Sequence, residues 1–201
     1  MSRGFFVIPA VLAPAMRPAR GGWLNVLSPF PMSTVTEQPT LQTAFAAELK
    51  QELYLTRRLL ERVPTAQFDW RPHPKSMPIG KLAWHMANLT AFLELSLQGP
   101  ETDMTTVQWP TAATTTDELL SRFDVTAASV QQAVAAVEDE QLHGPWTMRV
   151  GERVVGTMPR TRVLRTLVLN HLIHHRGQLS VYLRLLDIPV PSIYGPSADE
   201  Q

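Results

Sequence analysis

From Thr40 onward, apolar residues recur at the intervals of a helix face. Leu41, Phe45, Leu49, Leu53, Leu60 and Val63 stand three, four or seven positions apart, and Pro64 stops the run. After the loop Trp70-Arg-Pro-His-Pro-Lys-Ser76, Ser76 is an expected N-cap and Pro78 fits a first helical turn. The second helix then carries Ile79, Leu82, Met86, Leu89 and Leu93 on one side and ends near Gly99-Pro100. Thr115-Thr-Asp-Glu118 reads as a capping box for a third helix, with Leu119, Phe123, Ala127, Val130, Val134 and Val137 along one face. Two short alternating runs between Trp146 and Val155, around Gly151-Glu152, predict a β-hairpin with a Gly-X turn. Pro159 opens the longest helix, with Leu164, Leu167, Val168, His171, Leu172, His175, Leu179, Tyr182 and Leu186 on its apolar stripe. Pro189 and Pro191 end it, and an extended tail follows.

Four amphipathic helices and one small hairpin before the last of them predict an all-α fold of the helical-bundle kind. Residues 1–36 stand apart. Phe5 to Ala15 is an apolar stretch behind Arg3, ending in an Ala-x-Ala pattern at Ala13 and Ala15, which is one form of a signal peptide. Pro9 and Pro14 interrupt it, and the simpler expectation is a disordered extension, or an upstream start with true initiation at Met32. The chain therefore divides into an extension (1–36), a helical domain (37–196) and a short tail (197–201). A cytoplasmic location is expected, with a signal peptide at 1–15 as the alternative.

Composition narrows the partners. The chain has 201 residues, 44% hydrophobic, enough for one real core, with 18 basic against 18 acidic side chains. That balance, without a Lys/Arg run, lacks the footprint of a nucleic-acid binder or of a protein held on anionic lipid. A small-molecule substrate is the expected partner. Cysteine is absent, which excludes disulfides, cysteine-ligated zinc and a cysteine nucleophile. Any thiol chemistry must use a thiol from outside the chain.

Six histidines are unevenly placed. His171 and His175 are four apart, so on a helix they project side by side and can chelate one ion. His85 lies on the apolar stripe of the second helix, flanked by Leu82, Met86 and Leu89. Both a set of packed, hydrogen-bonded core histidines and a shared metal satisfy this pattern, because each buried imidazole needs partners for two nitrogens. His174 competes as a ligand on spacing alone, although it points about 100° away from His175. The pair is not a zincin motif: Leu172 follows His171 where a glutamate base would stand. His73 and His143 are expected in loops. Gln178 and Tyr182 continue the His175 face, as hydrogen-bond partners of the site or as packing. Glu94 falls on the wrong side of its helix to join His85.

The stretch His171-Leu-Ile-His-His-Arg-Gly-Gln-Leu-Ser-Val-Tyr-Leu-Arg-Leu-Leu186, with Pro189-Val-Pro-Ser-Ile-Tyr-Gly195 behind it, resembles the C-terminal signature of the DinB-like family. Ser76-Met-Pro-Ile-Gly-Lys-Leu-Ala-Trp-His-Met-Ala-Asn88 is similar to that family's second-helix motif. The resemblance spans about residues 37–196. It implies a four-helix up-down-down-up bundle with a divalent metal held by His85, His171 and His175. It also implies a likeness in fold to transferases that use a low-molecular-weight thiol. Three functions follow as expectations. The first is a metal-dependent thiol S-transferase, with Arg176 and His73 as substrate or cofactor contacts. The second is a hydrolase using metal-activated water, and the third a non-enzymatic metal-binding stress protein. Imidazole ligands suit zinc or nickel, and also iron or copper. A homodimer is compatible with such a bundle.

Overall fold

The first helix is started by two caps, one local and one distant. Thr40 Oγ1 accepts from the Thr43 N–H (3.1 Å), and the Asp139 carboxylate accepts from the N–H groups of Leu41 and Gln42 (3.0 and 2.8 Å). Three otherwise orphaned donors are thus satisfied, two of them by a negative charge that suits the positive end of a helix dipole. From there α1 runs over Leu41–Leu60. The computed structural model describes residues 39–200, so the expectations for residues 1–36 lie outside it.

The start of the second helix differs from expectation. Ser76 is not its N-cap: α2 covers Ile79–Asn88, and Pro78 precedes it without a side-chain cap. The loop backbone serves instead, since Ile79 N–H donates to the Trp70 carbonyl (2.8 Å) and Gly80 N–H to that of Phe68 (3.0 Å). This close approach requires a glycine. A Cβ on residue 80 would lie 2.7 Å from Phe68 Cγ, in the body of the ring and not at a yielding tip. Gly80→Ala is expected to lower stability by roughly 1–3 kcal/mol through overpacking. Urea unfolding measures this, and a midpoint equal to that of the parent would show that the loop yields freely.

The expected second helix is in fact two. A turn at Leu89–Thr90 separates α2 from α3 (Ala91–Leu97), although both residues keep right-handed helical dihedrals. Beyond it, β1 (Glu101–Asp103) pairs in parallel with β2 (Pro145–Val150), which pairs antiparallel with β3 (Arg153–Pro159). Gly151 takes φ +58° in the expected hairpin turn. Strand β1, which alternation alone does not reveal, is tied in by buried Trp146, whose indole N–H donates to Thr102 Oγ1 (3.1 Å). Between β1 and β2 lie α4 (Thr116–Ala136) and the short α5 (Asp139–His143). The Thr115 hydroxyl accepts from Glu118 N–H (3.2 Å) as a capping box requires. The Glu118 carboxylate, however, returns to Thr114 N–H and hydroxyl (2.7 and 2.9 Å), one residue earlier than the motif predicts.

The last helix is not uniform. One turn, α6 (Arg160–Arg162), leads into a π-helix over Val163–Asn170, and only then does α7 (His171–Leu185) begin. The burial pattern explains the wider turn. Val163 and Val168, and likewise Leu164 and Leu169, are fully buried pairs five apart, the spacing that i→i+5 bonding stacks. Arg160 at its start is also buried and donates to the carbonyls of Ser96, Gly99 and Pro145 (2.5, 2.7 and 3.0 Å), satisfying the end of α3.

Helix α1 packs against α4 and α7, and α2 packs against the same two, around a core that includes Leu49, Leu82, Met86, Phe123, Val130 and Leu172. The chain after α7 folds back across α1: Glu200 pairs with Arg58, and Asp199 with Arg184 (2.5 Å). The architecture is thus helical with a small three-stranded sheet. Among the described residues, no helix is long and apolar enough to cross a membrane.

Candidate metal centre

Helix α2 supplies His85, and α7 supplies His171 from its first turn and His175 from its second. Their ligand atoms lie within 4.8 Å of one another, the one such group of His, Asp or Glu among the described residues. His171 Nε2 is central: it stands 3.4 Å from His85 Nε2 and 2.8 Å from His175 Nε2.

The outer nitrogens decide what these inner atoms carry. With the Gln178 amide oxygen facing it, His175 Nδ1–H donates across 2.7 Å, which leaves the lone pair on Nε2. His171 is held by a hydrogen bond to the Leu167 carbonyl, in the last part of the π-helix. Two imidazole lone pairs pointed at each other across 2.8 Å repel unless a positive centre lies between them. Two nitrogens each ~2.0–2.1 Å from one ion stand about 3.3 Å apart across a tetrahedral angle and about 2.9 Å across a right angle. The two separations from His171 Nε2 fall close to these values, so the residues could hold a divalent metal and do not discriminate among ions.

All three imidazoles are biased towards the neutral form that a metal needs. Burial, reinforced by His175 and His171, pushes His85 down to about 4. Burial also lowers His171 below the ordinary histidine value, helped by His175 and opposed by the bond to Leu167. For His175, burial again outweighs the opposing bond to Gln178.

The remaining histidines lie elsewhere. His174 is exposed and only touches the His175 ring (centroids 5.0 Å apart), so it stays out of the cluster. His73 is exposed in its loop, where Nδ1 accepts from Lys75 N–H (3.1 Å), and His143 ends α5. Glu94 accepts from the Ser129 hydroxyl (2.7 Å), away from the histidines. Tyr182 packs edge-on against Trp70 (5.7 Å), pinning the Pro-rich loop to α7.

Arg176 is not displayed at a surface. It is 2% exposed and donates to the Glu52 carboxylate (2.5 Å), the Glu52 carbonyl (3.1 Å) and the Tyr194 hydroxyl, with its guanidinium carbon 4.9 Å from the Tyr194 ring centre. Tyr194 OH in turn donates to Glu52 (2.7 Å); although the residue is 66% exposed, desolvation around its hydroxyl, with help from that carboxylate, pushes the phenol up to about 12. The arginine therefore ties α7 to α1 and to the C-terminal segment, one residue from His175.

Sequence reasoning missed a cavity of about 280 Å³ on the other side of His85. Lys81, Trp84, Leu89 and Phe92 line it together with Trp109 from the loop after β1. Lys81 and Leu89 stand four residues before and after His85, a spacing that could have disclosed the wall; nothing local could have disclosed Trp109.

Comparison with known proteins identifies the family. The family model of the DinB superfamily matches residues 48–179. The Bacillus subtilis (strain 168) protein YrdA, itself uncharacterized, is 28% identical over 152 residues, covering 72% of this chain and 83% of that protein. Two solved structures share the fold. A DinB-like protein from Bacillus cereus ATCC 10987 matches with TM-score 0.59 at 22% identity, over 75% of this chain and 95% of that one. The DinB-like protein YjoA from Bacillus subtilis matches with TM-score 0.58 at 16% identity, over 79% and 99%. With the matched region spanning all three clustered histidines, the chain belongs to the DinB superfamily.

Proposed function

We propose that the protein is a divalent-metal-dependent transferase that joins a low-molecular-weight thiol to an electrophile. In this reading α1, α2 with α3, α4, and the π-helix with α7 form an up-down-down-up four-helix bundle. The closed circuit of contacts from α1 to α4, α2, α7 and back supports it. His85, His171 and His175 would hold the ion, zinc or nickel being best suited and iron or copper also compatible with imidazole. The observation that carries the proposal is the convergence of their Nε2 atoms, with His175 held from its outer nitrogen by Gln178 and His171 by the Leu167 carbonyl.

A bound divalent ion supplies Lewis acidity that lowers the pKa of a coordinated thiol. The chain's own residues do the rest. Gln178 and the Leu167 carbonyl orient two rings, and burial biases all three imidazoles towards the neutral form. In the reaction the thiol loses its proton to solvent, a sulfur–carbon bond forms, and the leaving group departs with its electron pair. The absence of cysteine means that no thiol of the chain competes for the electrophile. Hydrolysis is supported less well. Metal-bound water commonly relies on a nearby general base, and no carboxylate joins the histidine group among the described residues.

Conjugation of monochlorobimane to bacillithiol, mycothiol or glutathione, with and without added zinc or nickel, tests this. A metal-dependent rate with at least one thiol is expected. Background rates in every pairing, with metal bound, would remove the transferase reading and leave the metal centre to another role.

A further inference from the structure

The cavity beside His85 is built for a particular kind of molecule. Its volume of about 280 Å³ is enough to seat one or two fused rings against the lining. Its walls are mostly aromatic. Trp84 comes from α2 and Phe92 from α3, while Trp109 reaches over from the loop, 5.9 Å from Phe92 between ring centres and inclined by 47°. Trp109 remains 45% exposed, so part of its indole is open to a guest.

Charge then selects among ring-shaped guests. Aromatic walls alone would also suit a quaternary ammonium ion. Lys81 opposes that: it is the charged residue of the lining, and no acidic side chain lines the cavity to offset it. Lys81 takes part in no ion pair among the described residues. Asn88 also lines the space, but its amide is committed, donating to the Trp84 carbonyl (2.8 Å) and accepting from Arg122 Nε (2.8 Å). The one fixed charge in the lining is the Lys81 ammonium group, at the rim of an aromatic slot.

The geometry points to this cavity as the binding site of a small planar aromatic anion, its ring between Trp84, Phe92 and Trp109 and its carboxylate at Lys81. His85 belongs both to this wall and to the histidine cluster, so the guest sits against the metal centre. As the seat of the electrophile the assignment rests on the transferase reading; as a binding site it stands on the lining.

Equilibrium dialysis of the full chain with 2-naphthoate, 2-naphthylmethanol and phenyltrimethylammonium, with and without zinc, tests it. Naphthoate is expected to bind best and the ammonium ion least. Trp109→Ala and Phe92→Ala, each removing one ring of the slot, should weaken naphthoate by ~3–10-fold, the value of one aromatic contact. Lys81→Met should weaken naphthoate and leave the alcohol unchanged. Preference for the ammonium ion, equal binding to parent and Trp109→Ala, or no binding of any of the three would overturn the assignment. Because dialysis needs no turnover, naphthoate binding without thiol conjugation would sink only the transferase reading. Conjugation without naphthoate binding would sink only the cavity.

Discussion

Replacing Glu52 by alanine is expected to destabilise the protein by about 3–5 kcal/mol, one of the two largest effects foreseen for a single side chain. Glu52 and Arg176 are 6% and 2% exposed, and their ion pair is completed by the Tyr194 hydroxyl. Removing the carboxylate strands a guanidinium where water cannot reach it, and stranding a charge costs far more than the pair itself contributes. The contrast is with the double variant Glu52→Leu/Arg176→Met, which removes both charges and keeps the volume. Such replacements are often neutral or stabilising by about 1–4 kcal/mol. Urea denaturation of the parent and both variants separates the cases. A Glu52→Ala protein within about 1 kcal/mol of the parent would mean that water reaches Arg176 and that the network is not buried in solution.

The second large effect concerns the metal. His171→Ala is expected to reduce affinity for zinc by more than about 100-fold, beyond the 10–100-fold typical of losing a residue that only orients a ligand. The reason is position: its Nε2 is the atom that approaches both of the others. Gln178→Leu, which touches only the outer nitrogen of His175, should fall within the 10–100-fold range. Competition with a chromophoric chelator gives the affinities, elemental analysis of untagged protein gives the occupancy, and circular dichroism confirms that the helices persist. The parent should carry close to one ion per chain. Equal affinity and metal content in parent and His171→Ala would show that His171 is not a ligand, and a parent that binds no metal would show that the cluster is packed histidine and nothing more.

The histidine cluster was legible because helical spacing and apolar flanks are local properties. His171 and His175 need only one turn of helix between them, and His85 needs only neighbours such as Leu82, Met86 and Leu89. The cap at Thr115 and the hairpin turn at Gly151 are local in the same way. What escaped is what depends on distant partners. Ser76 looked like a cap because the motif is short-range, yet the loop carbonyls of Phe68 and Trp70 reached the helix first. Arg176 looked like a group available to a ligand, because nothing near it in the chain announces Glu52, which lies 124 residues away. Strand β1 is three residues long, below what alternation can resolve. Trp109 comes to the cavity on a loop with no periodicity to place it.

The π-helix gives the length of one segment an unexpected weight. An α-helix turns by about 100° per residue, so the register of everything after Asn170 depends on how many residues the wide turns absorb. Substitutions between Val163 and Asn170 alter packing but preserve that count. A π-turn holds one residue more than an α-turn, so loss of one residue together with a return to ordinary winding would leave the following helix close to its present orientation. Ordinary winding with all eight residues retained would instead turn α7 and carry two intact imidazoles away from the third. Residue number and winding in this stretch are therefore matched to the ligand set, and a relative one residue shorter here can present the same histidines from a plain α-helix.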